Sequence, residues 1–293
     1  MLVVSGAILA AAAVAPAATS SQLIDRNAQG VRLAVNAKGE ALLTYSAAGQ
    51  VKHVLAWGAV NAIAPSPGKA QIEFKLDYAG GWGAHRSEYW KSFGSACAHY
   101  DGPKLAWFVT ACKAPDGSYW ALQSWQKMLP NYGVAPTSEQ AAWELHLSHW
   151  KGALPQLTIK TDWSWHRWDH LYGRLTYAGT GVYGFSSTPF GVPLDSFGRN
   201  VYVDTLDSVY GRGWKRENSF LTHARTGAFC YSVNPHGPHP AGKGVRYRAT
   251  VIGPGVTPDV HWEGAAPGPY DRSADLVANG EISRLGDSIC KPN

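Results

Sequence analysis

At 293 residues the chain is long enough to bury a large core, either as one large β domain or as two smaller domains. Its 45% apolar and only 16% charged residues exclude the disordered class. The formal net charge of +5 permits attraction to anionic polymers without requiring it, and 13 tryptophans beside 14 tyrosines suit strands and flat binding surfaces.

The chain opens "MLVVSGAILAAAAVAPAATSS". An uncharged apolar run over residues 2–14 precedes Ala15-Pro16-Ala17, the small-x-small pattern of a signal peptidase site. The run falls short of the roughly 18–20 residues that a membrane span needs. No Lys or Arg precedes it, a departure from the usual signal pattern. A buried N-terminal helix is the competing reading, and no amphipathic pattern supports it. Residues 1–17 are expected to be a signal peptide. Residues 18–293 are expected to form a single secreted β-sandwich domain, with no transmembrane segment in the mature chain.

Alternation with period two, broken by turn residues, dominates the rest of the chain. It predicts strands over residues 31–35, 40–46 and 50–60. A short helix is expected from Ser87 to Phe93, stopped by Gly94. Strands over 104–112 and 118–126 are joined through Pro115-Asp116-Gly117, a turn sequence. Thr137-Ser138-Glu139-Gln140 resembles a capping box. Further strands are predicted over 143–150, 154–165, 173–179, 181–187, 199–208, 219–224, 228–233 and 244–253. Ser273 to Leu285 carries one more helical pattern, weakened by Gly280. The 32 glycines and 18 prolines are spread along the chain, so no flexible tether stands out. The expected fold is all-β: an antiparallel β-sandwich, jelly-roll or lectin-like, with long loops and a few short helices.

Four cysteines in an exported chain suggest two disulfides, and three connectivities are open. The short segment between Cys97 and Cys112 favours that pair, leaving Cys230 with Cys290. No C-x-x-C spacing supports a zinc site.

Several motifs fail on their context. "GTGVYG" at 179–184 matches G-x-G-x-x-G, but prolines and alternation follow it where a helix is required, so it reads as a hairpin turn. His146 and His149 fall on opposite faces of a strand and cannot share a metal. His236 and His239 sit in a Pro-rich loop without a third ligand in register. Arg246 and Arg248 line one side of a strand and could meet an anionic chain, although a solvated face is the default. No metal, cofactor or nucleic-acid partner is expected.

The densest chemistry lies in "TDWSWHRWDH", residues 161–170. Parity places Leu157, Ile159, Trp163 and Trp165 on one face, the core stripe, and Asp162, Ser164 and His166 on the other. The phase changes after His166, which calls for a bulge or turn near Arg167. The preceding strand has the same phase, with Trp143, Leu145 and Leu147 opposed to Glu144, His146, Ser148 and Trp150. If these two strands form a hairpin through a five-residue loop, His146 faces Asp162 and Glu144 faces Ser164. Glu144 and Asp162 would then be diagonal neighbours roughly 7–8 Å apart, near the separation of about 6.5–9.5 Å used by inverting glycosidases. Trp150 and Trp168 would stand at the ends of this face, where their rings could stack on sugars. The alternative is the ordinary mixed-charge face of a half-solvated sheet.

The candidate catalytic residues are thus Glu144, His146 and Asp162, and the candidate ligand-binding residues Trp150, Ser164, His166 and Trp168. The leading expectation is a secreted protein that binds a carbohydrate or cell-envelope polymer. A glycoside hydrolase or polysaccharide lyase using Glu144, His146 and Asp162 is the first alternative. A structural envelope protein without a small-molecule site is the second.

Overall fold

The computed structural model describes residues 21–64, 71–126, 132, 137–138, 141–164, 168–183, 200–222 and 224–286, with Ser164 described only in its backbone. Sixteen strands run β1 Gln22–Arg26, β2 Gln29–Val35, β3 Ala41–Ala47, β4 Gln50–Trp57, β5 Lys75–Asp77, β6 Phe108–Lys113, β7 Tyr119–Gln126, β8 Trp143–Trp150, β9 Gln156–Ser164, β10 Trp168–Tyr177, β11 Thr180–Gly181, β12 Asn200–Ser208, β13 Gly211–Leu221, β14 Ala228–Val233, β15 Arg246–Val251 and β16 Val260–Ala265. Two helices accompany them, α1 Trp82–His85 and α2 Arg272–Arg284. The protein is all-β and sandwich-like, built from four antiparallel sheets of four strands.

The sheets share their cores in pairs. β1-β8-β7-β6 and β2-β3-β4-β5 enclose Leu43, Tyr45, Val54, Trp120, Leu122, Leu145 and Leu147. In the second half, β10 is flanked by β9 and β14, with β11 folded back at its end, and this sheet faces β13-β12-β15-β16. Leu171, Leu175, Phe229, Val203, Ala249 and Val251 fill the space between them. Each leucine so buried contributes about 1.5–3 kcal/mol.

The segment 252–259, between β15 and β16, ties the halves together. Val256 enters the first core, and its carbonyl accepts from His149 N at 2.7 Å. The turn is tight enough to need glycine: a Cβ at Gly253 would stand 2.2 Å from Pro258 O.

Local chemistry explains several turns. Ala178-Gly179 joins β10 to β11 with both residues at positive φ, and Tyr177 pairs Thr180 across it, so the glycine-rich motif is a two-residue hairpin. At Pro115-Asp116-Gly117, Gly117 has φ +80° and the Asp116 carboxylate accepts from Ser118 N at 2.9 Å. Asp271 caps α2 by accepting from Ser273 N and Ala274 N at 2.7 and 3.0 Å. The helix expected at Ser87–Phe93 is replaced by α1 and a single 3-10 turn, Tyr89–Lys91. The capping box at 137–140 falls partly outside the described residues.

One pairing differs from the sequence expectation and relocates the predicted site. β8 and β9 do not form a hairpin. Both edges of β8 are filled, by β1 and β7, and His146 stands opposite Leu23 and Gln123. β9 pairs β10 along its whole length, with Asp162 opposite His170 and Ser164 opposite Trp168. The phase change in "TDWSWHRWDH" falls between β9 and β10, which pair antiparallel; residues 165–167 lie outside the described residues.

Candidate functional site

The alternation predicted for β8 is present, but its polar face is sealed. Glu144 is 6% exposed, His146 2% and Trp150 0%. Trp150 packs with Leu105 and Ala121, so it is a core residue and not a rim residue. Trp143, assigned to the core by parity, is 47% exposed at the strand's end. The physical reason is that sheet β1-β8-β7-β6 is covered on both sides. One side meets β2–β5. The other meets the segment around Leu105 and, further along, Ser21 and Asp259.

His146 lies 3.4 Å from Glu144 Oε2 and 3.7 Å from Asp259 Oδ2, with Ser21 Oγ 3.1 Å from its Nδ1. Burial opposes its charging, but Asp259 and Glu144 outweigh burial and hold its pKa above the ordinary value. Arg26 closes the group from outside, 2.8 Å from Glu144 Oε1.

Asp162 belongs to a different sheet. It borders an open groove of about 760 Å³ between β9, β16 and α2, and its carboxylate accepts from Trp163 N at 2.7 Å. Trp163, expected in the core, is half-buried; Lys243 Nζ stands 4.4 Å above its ring, and its Nε1 donates to Gly268 O. Trp168 is half-buried beside the hairpin. The Ser164 side chain, Trp165 and His166 lie outside the described residues. The structure thus joins Glu144 to His146 but brings neither to Asp162.

A different constellation has the marks of a site, and it centres on Trp107. This bulky residue has φ +54°, in the left-handed region that costs of order 1–3 kcal/mol unless its surroundings enforce it. Its carbonyl is anchored by Ser124 N at 2.9 Å, just before a bulge in the β6–β7 pairing. Cys97 and Cys112 are disulfide-bonded, with Cα atoms 5.6 Å apart, and close the segment that carries Lys104 and Trp107. Cys230 is also disulfide-bonded; Cys290, paired with it on the sequence expectation, lies outside the described residues.

Two cavities share Trp107 as a lining residue. One, of about 300 Å³, is walled by Trp107, Trp125, Trp143 and Trp214, with Asp204, Arg216, Arg248 and Thr250 also lining it. The other, of about 530 Å³, runs from Lys104 past Trp107 to Leu157 and His261. Residues from both sandwiches build this cleft.

Its electrostatics are organised around Asp204, which is buried. Arg216 Nε donates to Oδ1 at 2.6 Å, while Arg248 Nε and Nη2 donate to Oδ2 at 3.1 and 2.9 Å. The Arg248 guanidinium lies 4.6 Å from the Trp107 ring centre and 4.3 Å from that of Trp214. Two polar atoms on these walls are buried without a hydrogen-bond partner, Trp107 Nε1 and Thr250 Oγ1. Such atoms carry a desolvation cost that a ligand can relieve. His261 lies 5.7 Å from Trp107; burial lowers its pKa, and Arg248 and Lys104 add to that against the pull of Glu263.

Of these residues the sequence reading singled out Arg248 and Arg246. Arg246 points elsewhere, 3.4 Å from Glu263. Trp214 and Arg216, two apart on one strand, offered a weak signal; the backbone of Trp107 offered none. The histidine loop closes on itself through a bridge between His236 and His239, and His236 lies 3.3 Å from the buried Glu217. Among the described residues, no three His, Cys, Asp or Glu side chains gather as a metal site, and no helix is long and apolar enough to cross a membrane.

No protein-family model matches the chain, and no curated protein or solved structure matches it.

Proposed function

We propose that the protein binds a carbohydrate or cell-envelope polymer in the cleft around Trp107. The observation that carries this reading is Trp107 itself: a tryptophan at positive φ that lines two cavities. Its ring gives both cavities a shared aromatic lining residue, the kind that sugars stack on. Two cavities with a common tryptophan suit an extended chain better than a single small molecule. The exposed Trp143 and half-buried Trp214 add flat apolar surface, the kind that sugar rings stack on.

Export belongs to the same reading. It is supported by the signal-like residues 1–17 and by the Cys97–Cys112 disulfide, which persists in oxidising compartments. N-terminal sequencing of material from the culture medium should begin at Ala18; a chain that retains Met1 inside the cell opposes export. The hydrolase or lyase alternative drew on Glu144, His146 and Asp162, and their separation leaves it without a constellation. A glycan array on the wild type and on Trp107→Ala tests the binding reading. Binding that Trp107→Ala loses supports it; an array without hits, or hits that Trp107→Ala keeps, favours the structural envelope role.

A further inference from the structure

We infer that the cleft takes an acidic polysaccharide, with Arg248 gripping the carboxylate of one sugar unit; this rests on the carbohydrate reading above. Three residues hold Arg248. The Trp107 and Trp214 rings lie 4.6 and 4.3 Å from its guanidinium, and Asp204 occupies the Nε–Nη2 edge. What remains is the in-plane edge at Nη1, which has no partner among the described residues. The side chain is 14% exposed, so this edge is not sealed. A planar guanidinium fixed in this way presents N–H donors in the plane where a carboxylate binds best, and it loses little rotamer freedom on binding.

The second cavity points the same way. It is lined by Lys104, an exposed cation with no ion-pair partner among the described residues. The carboxylates nearby are already engaged. Asp259 is 1% exposed and accepts from Ser21, Trp125 and Gly253. Glu263 lies 3.4 Å from Arg246, and Asp204 lies beneath Arg248. A cation in each of two cavities that share Trp107 matches a polymer that carries more than one carboxylate, which a neutral glycan would not use.

Calorimetric titration with oligogalacturonate, oligomannuronate and hyaluronan fragments, each beside its carboxyl-reduced neutral counterpart, tests this. At least one acidic oligosaccharide should bind about tenfold more tightly than its neutral form. Arg248→Lys keeps the charge but not the planar fork, and it should erase most of that preference, lowering affinity for the acidic form more than for the neutral one. Lys104→Ala, an exposed change that spares the fold, should weaken the acidic ligand about threefold and so keeps the test open should Arg248→Lys not fold. Equal affinity for acidic and neutral forms overturns the acidic inference and leaves the carbohydrate reading standing. A preference that survives both substitutions also overturns it, as does binding confined to sulfated or phosphate-bearing polymers. Absence of binding to every oligosaccharide, acidic or neutral, overturns both readings.

Discussion

Two buried aspartates, Asp259 and Asp204, sit at similar depth among tryptophans, yet their surroundings differ in completeness. Asp259 accepts from Ser21 Oγ, from Trp125 Nε1 at 2.8 Å and from Gly253 N at 3.0 Å, while its backbone exchanges two hydrogen bonds with Gln123 at 2.8 and 2.9 Å. No side chain in that group is left without a partner, and it locks segment 252–259 onto the first sandwich. Asp204 holds two arginines, but the walls around it include unpartnered polar atoms, a strained tryptophan and empty volume. Buried polarity alone does not mark a functional site. A closed hydrogen-bond network marks structure, and an open one marks a place built for something else.

The contrast breaks first at Asp259. Asp259→Ala should cost about 3–5 kcal/mol in denaturant unfolding, because it takes the acceptor from Trp125 Nε1, Gly253 N and Ser21 Oγ and removes a carboxylate 3.7 Å from His146. Ligand affinity of the folded fraction should stay near wild type. A loss under about 1 kcal/mol would mean that this network does not hold the halves together.

The Cys97–Cys112 bond bears on both regions. Replacing both cysteines with alanine should lower stability by about 3 kcal/mol in the chain-entropy model, and it should also weaken ligand binding, since the bond closes the segment that carries Trp107. Reduced stability with intact binding would show that Trp107 is positioned by Ser124 and the bulge alone.

Acid should separate the histidines. Burial pushes His149 and His170 down to about 4, so the unfolded chain binds more protons than the fold below the ordinary histidine value of about 6.5. Stability present at neutral pH should fall by about 2 kcal/mol per histidine on reaching pH 5. His146 runs the other way: its raised pKa gives stability that is fully present below the unfolded value and lost as pH rises through the folded one. Denaturant melts of His146→Gln should therefore show a steeper acid loss than wild type, and a shallower one would contradict the Asp259 network. Trp143→Ala should have the smallest effect, leaving unfolding within about 0.5 kcal/mol of wild type while weakening ligand by about 1 kcal/mol.

Much of the fold was legible because it rests on local rules. Alternation located most strands, Pro115-Asp116-Gly117 marked a turn, the glycine-rich motif beginning at Gly179 marked another to within a residue, and the spacing of Cys97 and Cys112 gave the disulfide. β1, β5 and β16 carried too little contrast; β16 alternates only between half-buried and exposed positions. The predicted site failed on pairing. Parity grouped Glu144 with His146 correctly, but it cannot say which strand lies alongside or whether a second layer covers the face. Here β1 and β7 took both edges of β8, and the Asp259 loop covered its polar side. The Trp107 cleft was illegible for a related reason. Its walls come from residues 107, 143, 214 and 248, far apart in the chain, and its sharpest feature is a backbone angle that no residue type encodes.

The most direct test is calorimetric titration of wild type and Trp214→Ala with the best ligand from a glycan array. Trp214 lines the cleft from the second sandwich, with Arg248 4.3 Å from its ring centre, and takes no part in the Asp259 network. Affinity should fall by about 1–2 kcal/mol, roughly tenfold, with an unchanged melting temperature. Wild-type affinity in a correctly folded Trp214→Ala protein would contradict the claim that this cleft is where the ligand binds.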